Sequence, residues 1–301
     1  PSDLGSSYST FQYYVDGKFA YCLEADRSSP KGGSFAQEIL ESNPGLIKAL
    51  YYGYGGPGDI SAAYYPNYSG NVRTVLTHIA VSYFYTGSLS RATKGCSSSG
   101  VKKYDIEGWI NYLKELPDPP SPKISLSDKT LEVVSISDGI QTTGTTTLNA
   151  DSRNSITVTL PDEITYHNQD TGEAQTGGSV QINGGTTFYF SAPASLNRSW
   201  HTDDLKGSIS HIWKALVITT GTKTQNLGSY ASETYGGSVH FSVDWLGQKT
   251  LTLIKVDSKD NEVHLANAVI GVYADAECTN LLATLTTDAD GMASCTLPAD
   301  T

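Results

Sequence analysis

Near its start the chain reads FAYCLE (residues 19–24), an apolar run that is typical of a strand and contains Cys22. A later segment, VLTHIAVSY (75–83), has the apolar spacing of a helix and contains His78. Between the two lies ALYYGYGGPG (49–58), which is rich in tyrosine and glycine. Cysteine and histidine are both reactive residue types, so any interpretation of this part of the chain must account for them together.

Together the three segments resemble the thioester domains of Gram-positive surface adhesins. In that family a cysteine at the end of an early strand is joined to a glutamine in a Thr-Gln-x-Ala-hydrophobic motif, and the thioester captures a nucleophile on a host molecule. The segment THIA (77–80) aligns with this motif and has His78 in place of the glutamine. The resemblance implies that Cys22 and His78 lie close together. The apolar and aromatic neighbours predicted to line and bind at this site are Tyr21, Tyr51, Tyr52 and Tyr83.

An imidazole has no acyl carbon, so Cys22 and His78 cannot form a thioester with each other, and several interpretations stay open. In the first, the scaffold has lost the bond and attaches without a covalent link. In the second, the acyl donor is another glutamine, with Gln225 in GTKTQNLG (221–228) the best candidate and Gln37 and Gln141 weaker ones. Alternatively His78 lowers the pKa of Cys22, and the pair acts as the nucleophilic dyad of a transferase or peptidase. In the plainest interpretation Cys22 is a small buried apolar residue and His78 is bonded to a backbone carbonyl.

Composition restricts the class of protein. Of 301 residues, 20 are Lys or Arg and 31 are Asp or Glu, which gives a net charge of −11 and argues against nucleic-acid binding. Nineteen tyrosines against seven phenylalanines suit an extracellular β protein. There is no apolar run long enough to insert in a membrane, and no cysteine or histidine spacing that indicates a metal site or a cofactor.

Residues 1–122 are predicted to form an adhesin head that contains helices. Ser9–Leu23 alternates like one or two strands with a turn at Asp16-Gly17. Helices are predicted over Ser34–Leu50, interrupted at Pro44-Gly45, and over Val72–Tyr85 and Asp105–Leu116. The proline-rich residues 117–122 predict a stiff boundary.

Residues 123–247 are predicted to form a β-sandwich or barrel packed on the head. Four apolar, β-branched or aromatic runs (156–160, 186–190, 215–219 and 239–245) indicate strands, and the first two are separated by turns rich in glycine and asparagine. Short strands at this spacing are typical of all-β domains.

Residues 248–301 resemble the start of a collagen-adhesin B-type (Cna-B-like) domain, an Ig-like stalk module. Strands are predicted over 250–257 and 268–273, and a hairpin over 282–287 and 293–297. The resemblance implies an incomplete domain with an open edge. Lys255 aligns with the lysine of the isopeptide bond in such modules, but without its partners it is predicted to form no such bond.

Four cysteines leave two disulfides open as alternatives. A Cys22–Cys96 bond would abolish any nucleophilic role of Cys22, and a Cys278–Cys295 bond would link the two ends of the last hairpin.

The predicted fold class is mainly β with a small helical subdomain: an α+β head, a β-sandwich or barrel, and a partial Ig-like sandwich. The resemblance implies the tip of a cell-surface adhesin or pilin, with Cys22 and His78 at its thioester-like site. Its expected partner is a host surface protein or glycan. The protein is expected to be a monomer, and it is not expected to be an enzyme. The expected location is extracellular, with cell-wall anchoring through a C-terminal region beyond residue 301.

Overall fold

The computed structural model describes residues 3–5, 8, 10–31 and 37–298, with only the backbone at 37–41 and 298. The chain divides into two compact units. The first consists of Pro1–Pro122 and Ile209–Gly236, and the second of Lys123–Ser208 and Gly237–Thr301.

The strands in chain order are β1 (Tyr13–Val15), β2 (Lys18–Cys22), β3 (Gln37–Glu41), β4 (Ile124–Leu126), β5 (Thr130–Leu131), β6 (Val133–Ser137), β7 (Ile140–Thr143), β8 (Thr146–Ala150), β9 (Ser155–Asn168), β10 (Ala174–Asn183), β11 (Thr187–Pro193), β12 (Asn197–His201), β13 (Leu205–Lys206), β14 (His211–Thr219), β15 (Leu227–Thr234), β16 (Ser238–Val239), β17 (Ser242–Leu246), β18 (Gln248–Ile254), β19 (Val269–Tyr273), β20 (Leu281–Thr286) and β21 (Met292–Pro298). The helices are α1 (Pro44–Tyr52), α2 (Ser61–Tyr64), α3 (Gly70–Thr86), α4 (Leu89–Ala92), α5 (Ser98–Lys103) and α6 (Ile106–Glu115).

The first unit is built on a five-stranded antiparallel sheet with the order β1-β2-β15-β14-β3. The hairpin of β1 and β2 turns at Asp16-Gly17, where both residues have positive φ (48° and 77°). Two such residues form the turn that matches the twist of a two-residue hairpin, so the predicted turn is confirmed. Strand β15 returns from far along the chain and places Leu227 opposite Cys22.

Local signals explain where the helices of this unit begin and end. The side chain of Asn43 accepts a hydrogen bond from Leu46 N (3.1 Å), and Pro44 occupies the first turn, where it is tolerated. Helix α3 ends at Gly87, whose φ of 68° favours glycine. The predicted helices at 72–85 and 105–116 are confirmed as α3 and α6.

The two faces of the sheet bury different residues, because side chains alternate along a strand. On one face, Tyr21 and Leu23 join the helices in a core that includes Leu76 and Trp109. A separate buried cluster consists of Cys22, Ile218 and Leu227, with Tyr13, Val15 and Leu216 packed against it. Cys22 therefore belongs to a different cluster from its neighbour Tyr21.

The second unit contains a seven-stranded sheet, in which β10-β9-β11-β7-β6 lie in order and β8 pairs with β11 and β4. A smaller sheet has the order β12-β17-β5, and β13 pairs with β16. Phe188 and Phe190 from the large sheet share one core with Trp200 and Trp245 from the small sheet. Two sheets around a common core form a sandwich, so the predicted mainly β fold with a small helical part is confirmed.

The last four strands form two separate pairs, β18 with β21 and β19 with β20. The prediction of a hairpin over 282–287 and 293–297 is therefore wrong. The chain does turn at Asp288–Gly291, but β20 and β21 each pair with an earlier strand. Lys255 follows β18, and its Nζ donates to the carbonyl of its neighbour Val256 (3.2 Å).

The structure also differs from the predicted helix over Ser34–Leu50. Residues 34–36 lie outside the described residues, Gln37–Glu41 form β3, and only Pro44–Tyr52 are helical. Pairing with β14 overrides the helical spacing here, because the edge of the sheet offers β3 a ladder of hydrogen bonds.

Residues 209–236 were assigned by sequence to the β domain, but β14 and β15 complete the sheet of the first unit. The division into a head, a β domain and a stalk otherwise stays a prediction. Within the described residues, no helix is both long and apolar enough to cross a membrane.

Candidate functional site

Cys22 is the last residue of β2 and is only 1% exposed. Burial raises the pKa of its thiol to about 12, although the hydroxyl of Tyr13 acts against this rise. A thiol in such surroundings stays protonated at neutral pH and is poorly reactive towards reagents in solution. Any chemistry at Cys22 must therefore involve a group that the fold itself holds beside it.

Gln225 lies just before β15, the strand that pairs with the strand of Cys22. It precedes Leu227, the residue opposite Cys22, by two positions, and the pairing continues past β15 through Leu23 N and Asn226 O (2.8 Å). Alternation along an extended chain puts Gln225 on the same face as Leu227 and Cys22, as a diagonal neighbour within reach of a long side chain. Gln225 is 5% exposed, and its Oε1 has no hydrogen-bond partner among the described residues.

His78 lies on α3 and is 2% exposed. Burial lowers its pKa to about 4, and the main chain of Cys22, beside the ring, acts in the opposite direction. Neither ring nitrogen makes a hydrogen bond of acceptable geometry within the part of the chain that the structure describes. Helix α3 also reaches the Gln225 segment, where Asn226 Nδ2 donates to the Tyr85 hydroxyl (3.3 Å).

Tyr8 contributes a third buried polar group without a partner. Its ring centroid lies 6.1 Å from that of His78, and its hydroxyl is unpaired in the described ranges. Burial raises the pKa of Tyr8, with smaller contributions from Cys96 and Cys22. A buried polar group without a partner costs about 1–3 kcal/mol. Tyr8, His78 and Gln225 are thus three buried polar residues with unpaired atoms in the unit that contains Cys22, and such groups call for an explanation beyond packing.

The structure places the four predicted binding tyrosines away from the cluster that contains Cys22. Tyr21 and Tyr52 are buried in the core on the helix side, and Tyr21 donates a hydrogen bond to Tyr54 O. The ring of Tyr51 packs against Trp213 (centroids 5.5 Å apart). Lys114 Nζ donates to the hydroxyl of Tyr83 (3.1 Å). Tyr21 is next to Cys22 in the chain but lies in the other cluster, because adjacent residues of a strand face opposite sides.

The weaker acyl-donor candidates have other surroundings. Gln141 lies in the second unit, where its amide donates to Pro193 O (3.0 Å) and Leu196 O (2.7 Å) and its Oε1 accepts from Leu246 N (3.1 Å). With these three hydrogen bonds, the carboxamide of Gln141 stabilises the β-sandwich of the second unit. Gln37 lies in β3 opposite Thr219.

The alternative disulfides are not formed. Cys22, Cys96, Cys278 and Cys295 are all free thiols in the described ranges. Cys278 lies in the connection between β19 and β20, whereas Cys295 lies on β21, which pairs with β18. The two residues belong to different strand pairs, because the expected hairpin does not form.

A buried acid beside Cys22 was missed at the level of sequence. Glu24 is 5% exposed, its Oε2 accepts from Asn226 N (3.0 Å), and its Oε1 pairs with Arg27 Nη1 (2.8 Å). The available signal was its position two residues after Cys22, where the alternation of an extended chain would return a side chain to the same side. In the described part of the chain, no three metal-ligating side chains lie together.

The comparisons with known proteins agree with this architecture. Residues 2–120 match the family described as "Thioester domain", and residues 125–209 match the "TED associated beta sandwich domain". Residues 2–120 therefore contain a thioester domain, and residues 125–209 the β-sandwich domain associated with it. The first match contains Cys22 and His78, and both matches end before Gln225.

Among solved structures, the chain is similar to the Bacillus anthracis TIE protein, with 18% identity, a TM-score of 0.57, and coverage of 95% of this chain and 52% of that one. It also matches the thioester domain of the Enterococcus faecium TIE86 protein, with 15% identity, a TM-score of 0.34, and coverage of 76% and 81%. The first similarity shows a shared fold, and the chain spans about half the length of that protein. Comparison with curated sequences finds no match.

Proposed function

We propose that Cys22 and Gln225 form an internal thioester with which the protein attaches covalently to its partner. The observation that carries this proposal is the strand pairing that puts Gln225, buried and with an unpaired carboxamide oxygen, two residues before the partner of Cys22, a buried free thiol. A fixed geometry of this kind replaces the reactivity that the thiol lacks, because a held neighbour acts at a very high effective concentration.

The chemistry balances without a cofactor. The sulfur of Cys22 forms a bond to Cδ of Gln225, the C–N bond breaks, and the amide nitrogen leaves as ammonia with the thiol proton. An amine of the partner then attacks Cδ, the C–S bond breaks, and Cys22 recovers a proton as a thiol. The product is an amide bond between Gln225 and the partner. Burial of both residues limits hydrolysis of the thioester before a partner arrives.

The biological role that fits this chemistry is adhesion. The match to the thioester-domain family is consistent with a surface protein that binds covalently. We infer that the partner is a host surface protein or glycan that presents an amine, and that the protein acts outside the cell, anchored to the cell wall through a C-terminal region. The stalk-like part from residue 248 onwards would carry the head away from the cell surface.

The pKa values argue against a Cys22–His78 enzyme. With the pKa of the thiol raised to about 12 and that of the imidazole lowered to about 4, both groups are neutral at pH 7. Catalytic dyads need the reverse order, in which the histidine takes the proton of the thiol. The site is therefore better suited to one covalent capture than to turnover.

Intact-mass measurement tests the proposal. The folded protein should be about 17 Da lighter than its sequence, because ammonia is lost, and methylamine should add about 31 Da, to about 14 Da above the sequence mass, and expose one thiol. Cys22→Ala and Gln225→Ala should each abolish both effects, whereas Gln12→Ala, at an exposed glutamine of the same unit, should preserve them. A full mass in the folded, unmodified protein would refute the thioester.

A double variant tests which position supplies the acyl group. His78→Gln with Gln225→Ala places a carboxamide where the family motif has one and removes the proposed donor. We expect the full mass, because residue 225 lies in the segment that continues the pairing with the strand of Cys22, whereas residue 78 lies against the main chain of Cys22. A deficit of about 17 Da in this variant would assign the acyl position to residue 78.

A further inference from the structure

The antiparallel pairing of Leu23 with Asn226, beside the proposed thioester, lacks one of the two backbone hydrogen bonds of a regular β-ladder. Opposed residues of a hydrogen-bonded antiparallel pair exchange two backbone bonds. Leu23 N donates to Asn226 O (2.8 Å), but Asn226 N donates to Oε2 of the Glu24 side chain (3.0 Å). A carboxylate thus takes the place of a backbone carbonyl directly next to Gln225.

The backbone of Gln225 itself is fixed on both sides. Its N–H donates to Ser28 O (2.9 Å), and its carbonyl accepts from Thr220 Oγ1 (2.6 Å). With Asn226 held by the strand of Cys22, the main chain around Gln225 has little freedom. The carboxamide oxygen of Gln225 keeps no partner of its own among the described residues.

Glu24 is the charged member of this arrangement. Burying a carboxylate is costly unless it is paired and hydrogen-bonded, and this one has both the Asn226 amide and the Arg27 guanidinium. Arg27 also donates its backbone N–H to Glu24 O (2.9 Å), which closes a tight turn directly after the strand of Cys22. A hydrogen bond to a charged group is roughly twice as strong as a neutral one.

We propose that Glu24 is a positioning residue for thioester formation. Its carboxylate draws the amide of Asn226 out of the ladder, and so sets the direction in which Gln225 leaves the strand towards Cys22. The inference rests on the proposed thioester between Cys22 and Gln225. It adds a residue that takes no part in the covalent steps and acts through the backbone next to Gln225.

The test follows thioester formation by intact mass after refolding of the full chain from denaturant. Glu24→Ala should slow the appearance of the lighter species by roughly 10- to 100-fold, which is the effect of losing a hydrogen bond to a charged group. Glu24→Gln keeps the size and an acceptor oxygen but forms a neutral bond, so its rate should lie between those of the alanine variant and the unmodified protein. Recovery by glutamine is a result that a general loss of stability would not give.

Asp26→Asn is the matched control. Asp26 belongs to the same turn and makes an equivalent pair with Arg91 (2.8 and 3.1 Å), but it bonds away from the Gln225 segment. This variant should form the thioester at the unmodified rate. An unmodified rate in folded Glu24→Ala, or equal slowing in Asp26→Asn, would overturn the inference.

Two further results separate the possible failures. If Glu24→Ala does not fold, the Glu24→Gln variant supplies the test. Thioester formation in that variant at the rate of the unmodified protein would refute the role of the charge. If the unmodified protein itself never loses mass, the proposed thioester fails and the role of Glu24 fails with it. If the unmodified protein shows the mass deficit of about 17 Da, and the Glu24→Ala variant shows the same deficit and forms it at the same rate, only the positioning role of Glu24 is refuted.

Discussion

Replacing His78 by glutamine should remove a dependence of stability on pH that the structure assigns to this one residue. Burial lowers the pKa of His78 from its ordinary value of 6.5 to about 4 in the folded protein. The unfolded chain therefore binds a proton between these two pH values, while the folded chain does not. Stability is fully present above pH 6.5 and is lost as the pH falls towards 4.

The size of the effect follows from the shift. One pKa unit corresponds to about 1.4 kcal/mol, so a fall from pH 7 to pH 4.5 should cost the unmodified protein about 2 kcal/mol through His78. Because the residue is 2% exposed, solvent screens little of this term. Glutamine has a similar length and does not titrate, so His78→Gln should show a smaller loss by that amount.

The assay is urea unfolding at pH 7 and pH 4.5, followed by hydrogen exchange in peptides from α3 so that the first unit is observed. Acid effects from other groups are common to both proteins and cancel in the difference. Gln12→Ala changes an exposed residue of the same unit that does not titrate, and it should leave the pH dependence unchanged. Equal losses in the His78→Gln variant and the unmodified protein would refute the assignment of a neutral, buried imidazole.

Three further predictions concern reactivity and packing. In Gln225→Ala, iodoacetamide should label the exposed Cys278 well before Cys22, whose pKa is raised to about 12; mass mapping of the label checks the order, and faster labelling of Cys22 would contradict its burial. Leu76→Ala should lower the free energy of unfolding by about 2–5 kcal/mol, since Leu76 is fully buried between α3 and the sheet, and urea unfolding measures the loss. Asn43→Ala removes the cap of α1 and should cost about 1 kcal/mol, with Asn43→Ser retaining most of the stability.

Elements whose signals are local could be predicted from the sequence. The helix around His78 has apolar residues at helical spacing over four turns, and the turn at Asp16-Gly17 has the residue types that its backbone requires. The position of Cys22 at the end of a strand follows from the same kind of reasoning. These features depend on neighbours within a few residues, so the printed sequence contains the information.

The sequence was misleading where a distant strand decides the outcome. Residues 37–41 belong to a segment with helical spacing, and they become a strand because β14 offers them a partner. The same return of the chain moves residues 209–236 from the predicted β domain into the first unit. Pairing between strands that are far apart along the chain depends on how the whole sheet is assembled, and the sequence of the paired residues alone does not determine it.

The sequence by itself determined the class of the domain, the strand of Cys22, the helix of His78 and the absence of glutamine at the motif position. Only the tertiary structure decided that Gln225 and Glu24 belong to the same site. Asn226 and Glu24 are 202 residues apart and meet through one hydrogen bond. No periodicity or motif joins positions so far apart, because their contact is set by the order of strands in the sheet, where burial and backbone pairing act on all five strands together.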